Sequence, residues 1–293
     1  MGELHGFPLQ TSHADFPLLA PIVHAILEQA GGFESFAREI PQLIRQAIDE
    51  VIDTPRTNRF VLSETEKTEK TYLGTKVEIL VRAHLKLGKG RNLDLSVRGA
   101  EVDIKNTMGG NWAIPLEAVG HPCILVKENE KTALCSVGLI VANDSYLNPG
   151  SNRDHKRTIS AAGLMNVWWI LRDHPYPQNV WEVMPLSTRE AIMKAPGGAQ
   201  RLAALFRAVQ ERPVSRSTVE DVAQQKDAMK RVRRNGGARD ILAPQGIAIL
   251  WAGSDRAVIE KLGLPAIGRQ DFISYRPTNP AHIALLRDAG HID

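Results

Sequence analysis

Apolar positions recur every three or four residues through the first third of the chain. Leu18, Leu19, Ile22, Val23, Ile26 and Leu27 form one stripe, and Leu43, Ile44, Ala47, Ile48 and Val51 form a second. That period belongs to amphipathic helices, so residues 1–66 are expected to be mainly helical, with Thr54-Pro55 stopping the second helix. A third stripe, carried by Leu73, Val77, Leu80, Ala83, His84 and Leu87, predicts a helix over residues 72–87.

After Gly88-Lys89-Gly90 the period drops to two. Leu93, Leu95 and Val97 alternate with Asp94, Ser96 and Arg98; beyond Gly99-Ala100, Val102 and Ile104 alternate with Glu101, Asp103 and Lys105. This pattern predicts a β-hairpin closed by Gly99-Ala100. Two more strands are expected at residues 123–127 and 132–141, joined by the polar turn Glu128-Asn129-Glu130-Lys131. Residues 163–171 read as a helix that buries Trp168 or Trp169. Residues 172–178 carry Pro175 and Pro177 and read as a linker, because proline continues neither a helix nor a central strand. The expected domains are therefore 1–174 and 175–293. In the second, helical patterns over 199–209 and 218–233 precede a short strand at 247–251, an order that suits a winged-helix module. The fold class is thus α/β: a sheet flanked by helices, followed by a mainly helical C-terminal domain.

Composition changes this picture little. With 43% hydrophobic and 24% charged residues the 293-residue chain is an ordinary globular protein. Cys123 and Cys135 have no metal-ligand or Cys-x-x-Cys spacing and are expected to be buried free thiols. No secretion signal or membrane-length apolar run stands out, which makes a reduced, cytoplasmic setting the expectation.

The hairpin carries the candidate chemistry. Closed at Gly99-Ala100, it puts Asp94 opposite Lys105 and Ser96 opposite Asp103, so Asp94, Asp103 and Lys105 converge on one face with paired Cβ atoms about 5 Å apart. Phosphodiester hydrolysis calls for such a set. Carboxylates hold Mg2+, the metal acidifies a water and neutralises charge on the phosphoryl oxygens, and an ammonium stabilises the crowded transition state. Glu78, one helix earlier, could add a further carboxylate. The same spacing recurs in Asp154-His155-Lys156, but in a loop-like stretch without strand alternation; strand context separates the two.

Charge is uneven. The formal net charge is only +3, yet the sixteen residues from Gln224 to Arg239 carry six basic side chains (Lys226, Lys230, Arg231, Arg233, Arg234 and Arg239) against one acid, Asp227. With Val222, Met229 and Val232 marking an apolar side, this stretch reads as an amphipathic basic helix suited to phosphates. Arg153, Lys156 and Arg157 form a second basic cluster, and the residues of both clusters are expected to bind DNA.

These residues resemble the NaeI-like family of type II restriction endonucleases. The blocks that carry the likeness run from Lys67-Thr68-Glu69-Lys70-Thr71 and Val77-Glu78-Ile79 through Asp94, Asp103-x-Lys105, Trp112, Pro115, Glu117 and Gly120-His121. They continue through Asn152-Arg153-Asp154, Lys156-Arg157, Val222-Ala223-Gln224-Gln225, Met229-Lys230-Arg231-Val232-Arg233 and Gly236-Gly237-Ala238-Arg239 to Leu262-Gly263-Leu264-Pro265, covering about residues 50–265. Leu93 stands where proline is common in this superfamily. The resemblance implies a PD-(D/E)XK nuclease core and a C-terminal helix-turn-helix DNA-binding domain. It further implies a homodimer acting on double-stranded DNA, with a second DNA site as activator and cuts leaving 5′-phosphate and 3′-hydroxyl ends. Carried over, Asp94 and Asp103 become metal ligands, Glu78 an accessory carboxylate and Lys105 the catalytic lysine. The alternatives are a nicking or repair endonuclease, or a DNA-binding regulator whose first domain is catalytically silent.

Overall fold

The computed structural model describes residues 4–265 and 267–293. Two compact units emerge, one running to Val51 and again over Thr65–Pro177, the other comprising Ile52–Glu64 and Gln178–Asp293. The single cut expected at 174/175 thus lies three residues before the last crossing, and it misses the segment 52–64, which packs with the second unit.

In the first unit, helices α1 (Phe16–Gln29) and α2 (Phe33–Ile52) follow the two N-terminal stripes, burying Leu19, Ile22, Ile26, Ile44, Ala47 and Ile48. Helix α2 stops at Ile52, as expected; Asp53 turns left-handed and a single turn, α3 (Thr54–Thr57), follows. Helix α4 (Lys67–His84) starts five residues before the expected 72, because Glu66 and Glu69 form a capping box. Its inward stripe is Leu73, Val77 and Val81.

Strands β1 (Leu95–Val97), β2 (Ala100–Thr107), β4 (Pro122–Asn129), β5 (Leu134–Val141) and β8 (Trp168–Pro175) make a five-stranded mixed sheet in the order β1-β2-β4-β5-β8. Only β2 and β4 run parallel; the other pairings are antiparallel. Strand β3 (Ala113–Ile114), β6 (Leu147–Ser151) and β7 (Arg157–Ile159) form a smaller sheet ordered β3-β7-β6.

Two expectations fail in this unit. The helix over 163–171 is one turn, α5 (Ala161–Leu164), capped by Ser160, after which Trp168 begins β8. Val167-Trp168-Trp169-Ile170-Leu171 is a continuous apolar run of β-branched and aromatic residues, and such a run is a buried strand when its flanks break. The supposed linker then continues that strand: His174 pairs with Cys135 and Pro175 with Leu134.

The second unit contains α6 (Leu186–Lys194), α7 (Gly198–Ala208), α8 (Arg216–Ala223), α9 (Ala238–Leu242), β9 (Ala248–Trp251), α10 (Arg256–Lys261), β10 (Phe272–Tyr275) and α11 (Pro280–Asp288). Strands β9 and β10 are antiparallel, and Val214 adds a bridge to Phe272 on the other edge. The basic helix expected over 218–233 is absent. Helix α8 ends where Gln224 turns left-handed, and only a 3-10 turn at Ala228–Arg231 follows, started by the Asp227 side chain accepting from the Lys230 N–H. Val222 and Val232 are still buried in the core; between them Lys226 lies on the loop and Lys230 and Arg231 on the 3-10 turn. Among the described residues no helix is long and apolar enough to cross a membrane.

Candidate active site

The hairpin forms, but its turn is Arg98-Gly99, not Gly99-Ala100. Both residues have positive φ, 52° and 82°, as a two-residue turn matched to strand twist requires, and Gly99 takes the second position without strain. Every partner consequently moves by two: Ser96 faces Glu101 and Leu95 faces Val102. A shift of two preserves faces. Continued one step, this register sets Asp94 against Asp103, with Lys105 as the diagonal neighbour rather than the direct one.

The contacts agree. Lys105 Nζ lies 2.7 Å from Asp103 Oδ2, and the Ile104 N–H donates to Asp94 Oδ2 at 2.8 Å. The Asp103 side chain is 5% exposed and that of Lys105 24%. Burial, reinforced by a hydrogen bond with Asp94 and by the Asp94 charge, pushes the Asp103 carboxyl up to about 7 against the pull of Lys105. Glu78 projects from α4 within electrostatic reach of Asp94 and Lys105. Its own carboxyl is raised by burial and then by Asp94, with Arg82, Lys105 and Lys89 opposing. Asp103 and Glu78 are thus both harder to ionise than ordinary carboxylates, as expected of a site short of positive charge. Among the described residues, no three His, Cys, Asp or Glu side chains stand close enough to ring an ion by themselves.

The approach to Asp94 is fixed by Glu101, which spacing did not single out. Its carboxylate accepts from the backbone N–H groups of Arg91, Asn92 and Leu93 at 2.9, 2.7 and 2.9 Å, and those bonds hold its pKa below the usual carboxylate value. Gly90 makes the loop possible, since a Cβ there would stand 2.3 Å from the Leu93 carbonyl oxygen.

The basic residues divide sharply. Arg157 ion-pairs with Asp144 and donates from Nε to the Asn148 carbonyl at 2.8 Å. Arg239 pairs with Asp255 at 3.1 Å, half-buried. Lys230 pairs with Asp227 at 3.2 Å, and Arg231 Nε donates to Gln225. Arg153, Lys156, Lys226, Arg233 and Arg234 are exposed. Cys123 and Cys135 are buried and free, as expected, with burial raising both thiols.

Comparison with known proteins places this chain among the DNA-cutting enzymes. The family model for restriction endonuclease NaeI matches residues 33–283, extending the likeness beyond the 50–265 of the sequence blocks at both ends. The type II restriction enzyme NaeI of Lentzea aerocolonigenes is 35% identical over 243 residues, spanning 80% of this chain and 76% of that enzyme. The chain therefore belongs to the NaeI family of type II restriction endonucleases, which are site-specific deoxyribonucleases.

Proposed function

We propose that this chain is a Mg2+-dependent restriction endonuclease that makes sequence-specific double-strand cuts with Asp94, Asp103 and Lys105, leaving 5′-phosphate and 3′-hydroxyl ends. The observation that carries the reading is Asp94, just before β1, hydrogen-bonded to Asp103 of β2, with Lys105 Nζ 2.7 Å from Asp103. The mixed sheet flanked by helices supports a PD-(D/E)XK-type core in the first unit.

The residues fit a divalent cation. Hard oxygen donors suit Mg2+, which usually takes only one or two protein carboxylates and fills its shell with water and substrate phosphate. That habit agrees with two close acids and no closed ring of three. Asp94 and Asp103 would hold the ion, with Glu78 as the accessory carboxylate. When bound, it supplies charge neutralisation at the phosphoryl oxygens and acidifies a water. The chain's own groups do the rest. Lys105 holds its ammonium beside Asp103, where it would stabilise charge that grows in the transition state. Asp94 is held by the Ile104 N–H and shares a hydrogen bond with Asp103. Glu101 fixes the loop that delivers Asp94.

The second unit reads as a winged-helix DNA-binding domain. The order α7, the Val214 bridge, α8, α9, β9 and β10 supports it, as do the exposed cations Lys226, Arg233 and Arg234. A homodimer cutting both strands, and activation by a second DNA site, complete the reading by family.

Supercoiled plasmid in Mg2+ tests it. Linear product is expected, whereas accumulation of open circles alone would indicate a nicking enzyme. EDTA should stop cleavage. Asp103→Asn and Lys105→Ala should each slow it by at least on the order of 10²–10³-fold, with DNA still bound in a mobility-shift assay. Normal cutting by Asp103→Asn would overturn the assignment and favour a binding protein.

A further inference from the structure

The hairpin formed by β6 and β7 has a tip, residues 152–156, that no contact within the chain explains. Asn152 Oδ1 accepts from the N–H groups of Asp154 and Lys156 at 3.0 and 2.9 Å, and the Asn152 N–H donates to the Lys156 carbonyl at 2.9 Å. The tip backbone is therefore fixed. Its side chains are not: Arg153, Asp154, His155 and Lys156 are all exposed, and among the described residues their side chains make no hydrogen bond or ion pair. The stem is the opposite case. Arg157 is bound to Asp144 and to the carbonyls of Asn148 and Leu147, and Asn148 Nδ2 donates to Thr158 Oγ1 at 2.8 Å.

The ribbon is built on the same core as the carboxylates. Leu147 and Ile159 at its base, with Ile114 of β3, share one apolar cluster with Leu93, Cys123 and Leu125. Trp112 Nε1 donates to the carbonyl of Val126, the register partner of Asn106, so the small sheet is tied in beside the residue that follows Lys105. From the Leu147–Ile159 pair to the Ser151–Arg157 pair the stem spans roughly 7 Å, two steps of β7 at about 3.3 Å per residue, with β6 bulged over the same interval, and the 152–156 tip extends beyond it. A B-DNA major groove is about 8.5 Å deep and admits a two-stranded ribbon. A fixed backbone carrying free polar side chains spares the ordering cost that a floppy loop would meet on binding.

We infer that the β6–β7 hairpin is a base-reading ribbon whose tip enters the major groove, with Arg153 on a guanine edge and Asp154 accepting from a cytosine amino group. The inference rests on the nuclease reading above and adds the source of sequence choice. Arginine forks onto guanine O6 and N7, and a carboxylate accepts from cytosine N4, so the pair selects G·C base pairs. Lys156 meets a phosphate. Arg157 is a positioning residue that holds the ribbon and touches no DNA.

Selection of duplexes from a randomised library by Asp103→Asn protein tests this without needing cleavage. Arg153→Ala in that background should lose a 5- to 150-fold preference at one base pair, and Asp154→Ala the preference at an adjacent one. Lys156→Ala should keep the whole motif while the slope of log affinity against log salt falls by about one. The exposed substitutions should leave thermal stability unchanged, which separates loss of contact from loss of fold. An unaltered motif in Arg153→Ala, or weakening spread equally over all positions, would overturn the ribbon. Plasmid cutting by the wild type judges the nuclease reading separately; its failure would sink that reading and leave the binding selection to decide the hairpin.

Discussion

Glu128 lies on β4, 1% exposed, with Asn106 Nδ2 donating to one carboxylate oxygen at 2.7 Å. The other oxygen has no hydrogen-bond partner among the described residues. Burial pushes its pKa to about 8 from an ordinary 4.5, so the folded chain keeps a proton that the unfolded chain has released. Between those values the unfolded state binds fewer protons, and stability must fall as pH rises. Below about 4.5 both states are protonated and the penalty vanishes; above about 8 it is complete. Glu128→Gln should therefore match the wild type near pH 4.5 and melt on the order of 5 °C higher at pH 8, as calorimetry across that range would show. At this scale the sequence revealed the site unevenly. Asp94, Asp103 and Lys105 were legible because a strand sends alternate side chains to one face, and a register error of two residues leaves that face intact. Glu101 was invisible because its partners are backbone N–H groups, which carry no side-chain signature.

Elements were legible where one force dominated. The stripes of α1, α2 and α4 give period 3.6 because each of these helices buries one side. The run from Val167 to Leu171 is apolar on every side, so period could not separate a buried strand from a helix, and pairing with β5 decided it. The stretch after Gln224 failed for another reason. Val222, Met229 and Val232 supplied an apolar side, but four like charges (Lys226, Lys230, Arg231 and Arg233) and the positive-φ Gln224 work against a continuous helix. The cationic surface proposed for it does not need the helix. Arg233 and Arg234 are exposed there, and replacing both by alanine should reduce the salt slope of DNA binding by about 1.8. Fluorescence titrations at several salt concentrations would measure it; an unchanged slope would remove these two arginines from the DNA surface.

Over the whole molecule the chain passes between the two units three times, because residues 52–64 belong with the second. Phe60 packs edge-on against Trp181 at 4.9 Å between ring centroids, the Arg189 guanidinium lies over its ring at 4.8 Å from the centroid, and Asn179 Nδ2 donates to its carbonyl oxygen at 2.9 Å. A fragment of residues 178–293 lacks this segment and leaves Trp181 uncovered. Losing the buried Phe60 side chain alone removes about 1.5–3 kcal/mol. The fragment should melt several degrees below the same fragment supplied with a 52–64 peptide, measured by differential scanning fluorimetry; equal melting would show that the segment contributes nothing. The same threading sets a timetable during synthesis. Phe60 leaves the ribosome 121 residues ahead of Trp181, a delay of about 6–24 s at ordinary elongation rates. Throughout that interval Phe60 lacks its native aromatic cover, so the finished packing of this segment can form only once the late partner emerges.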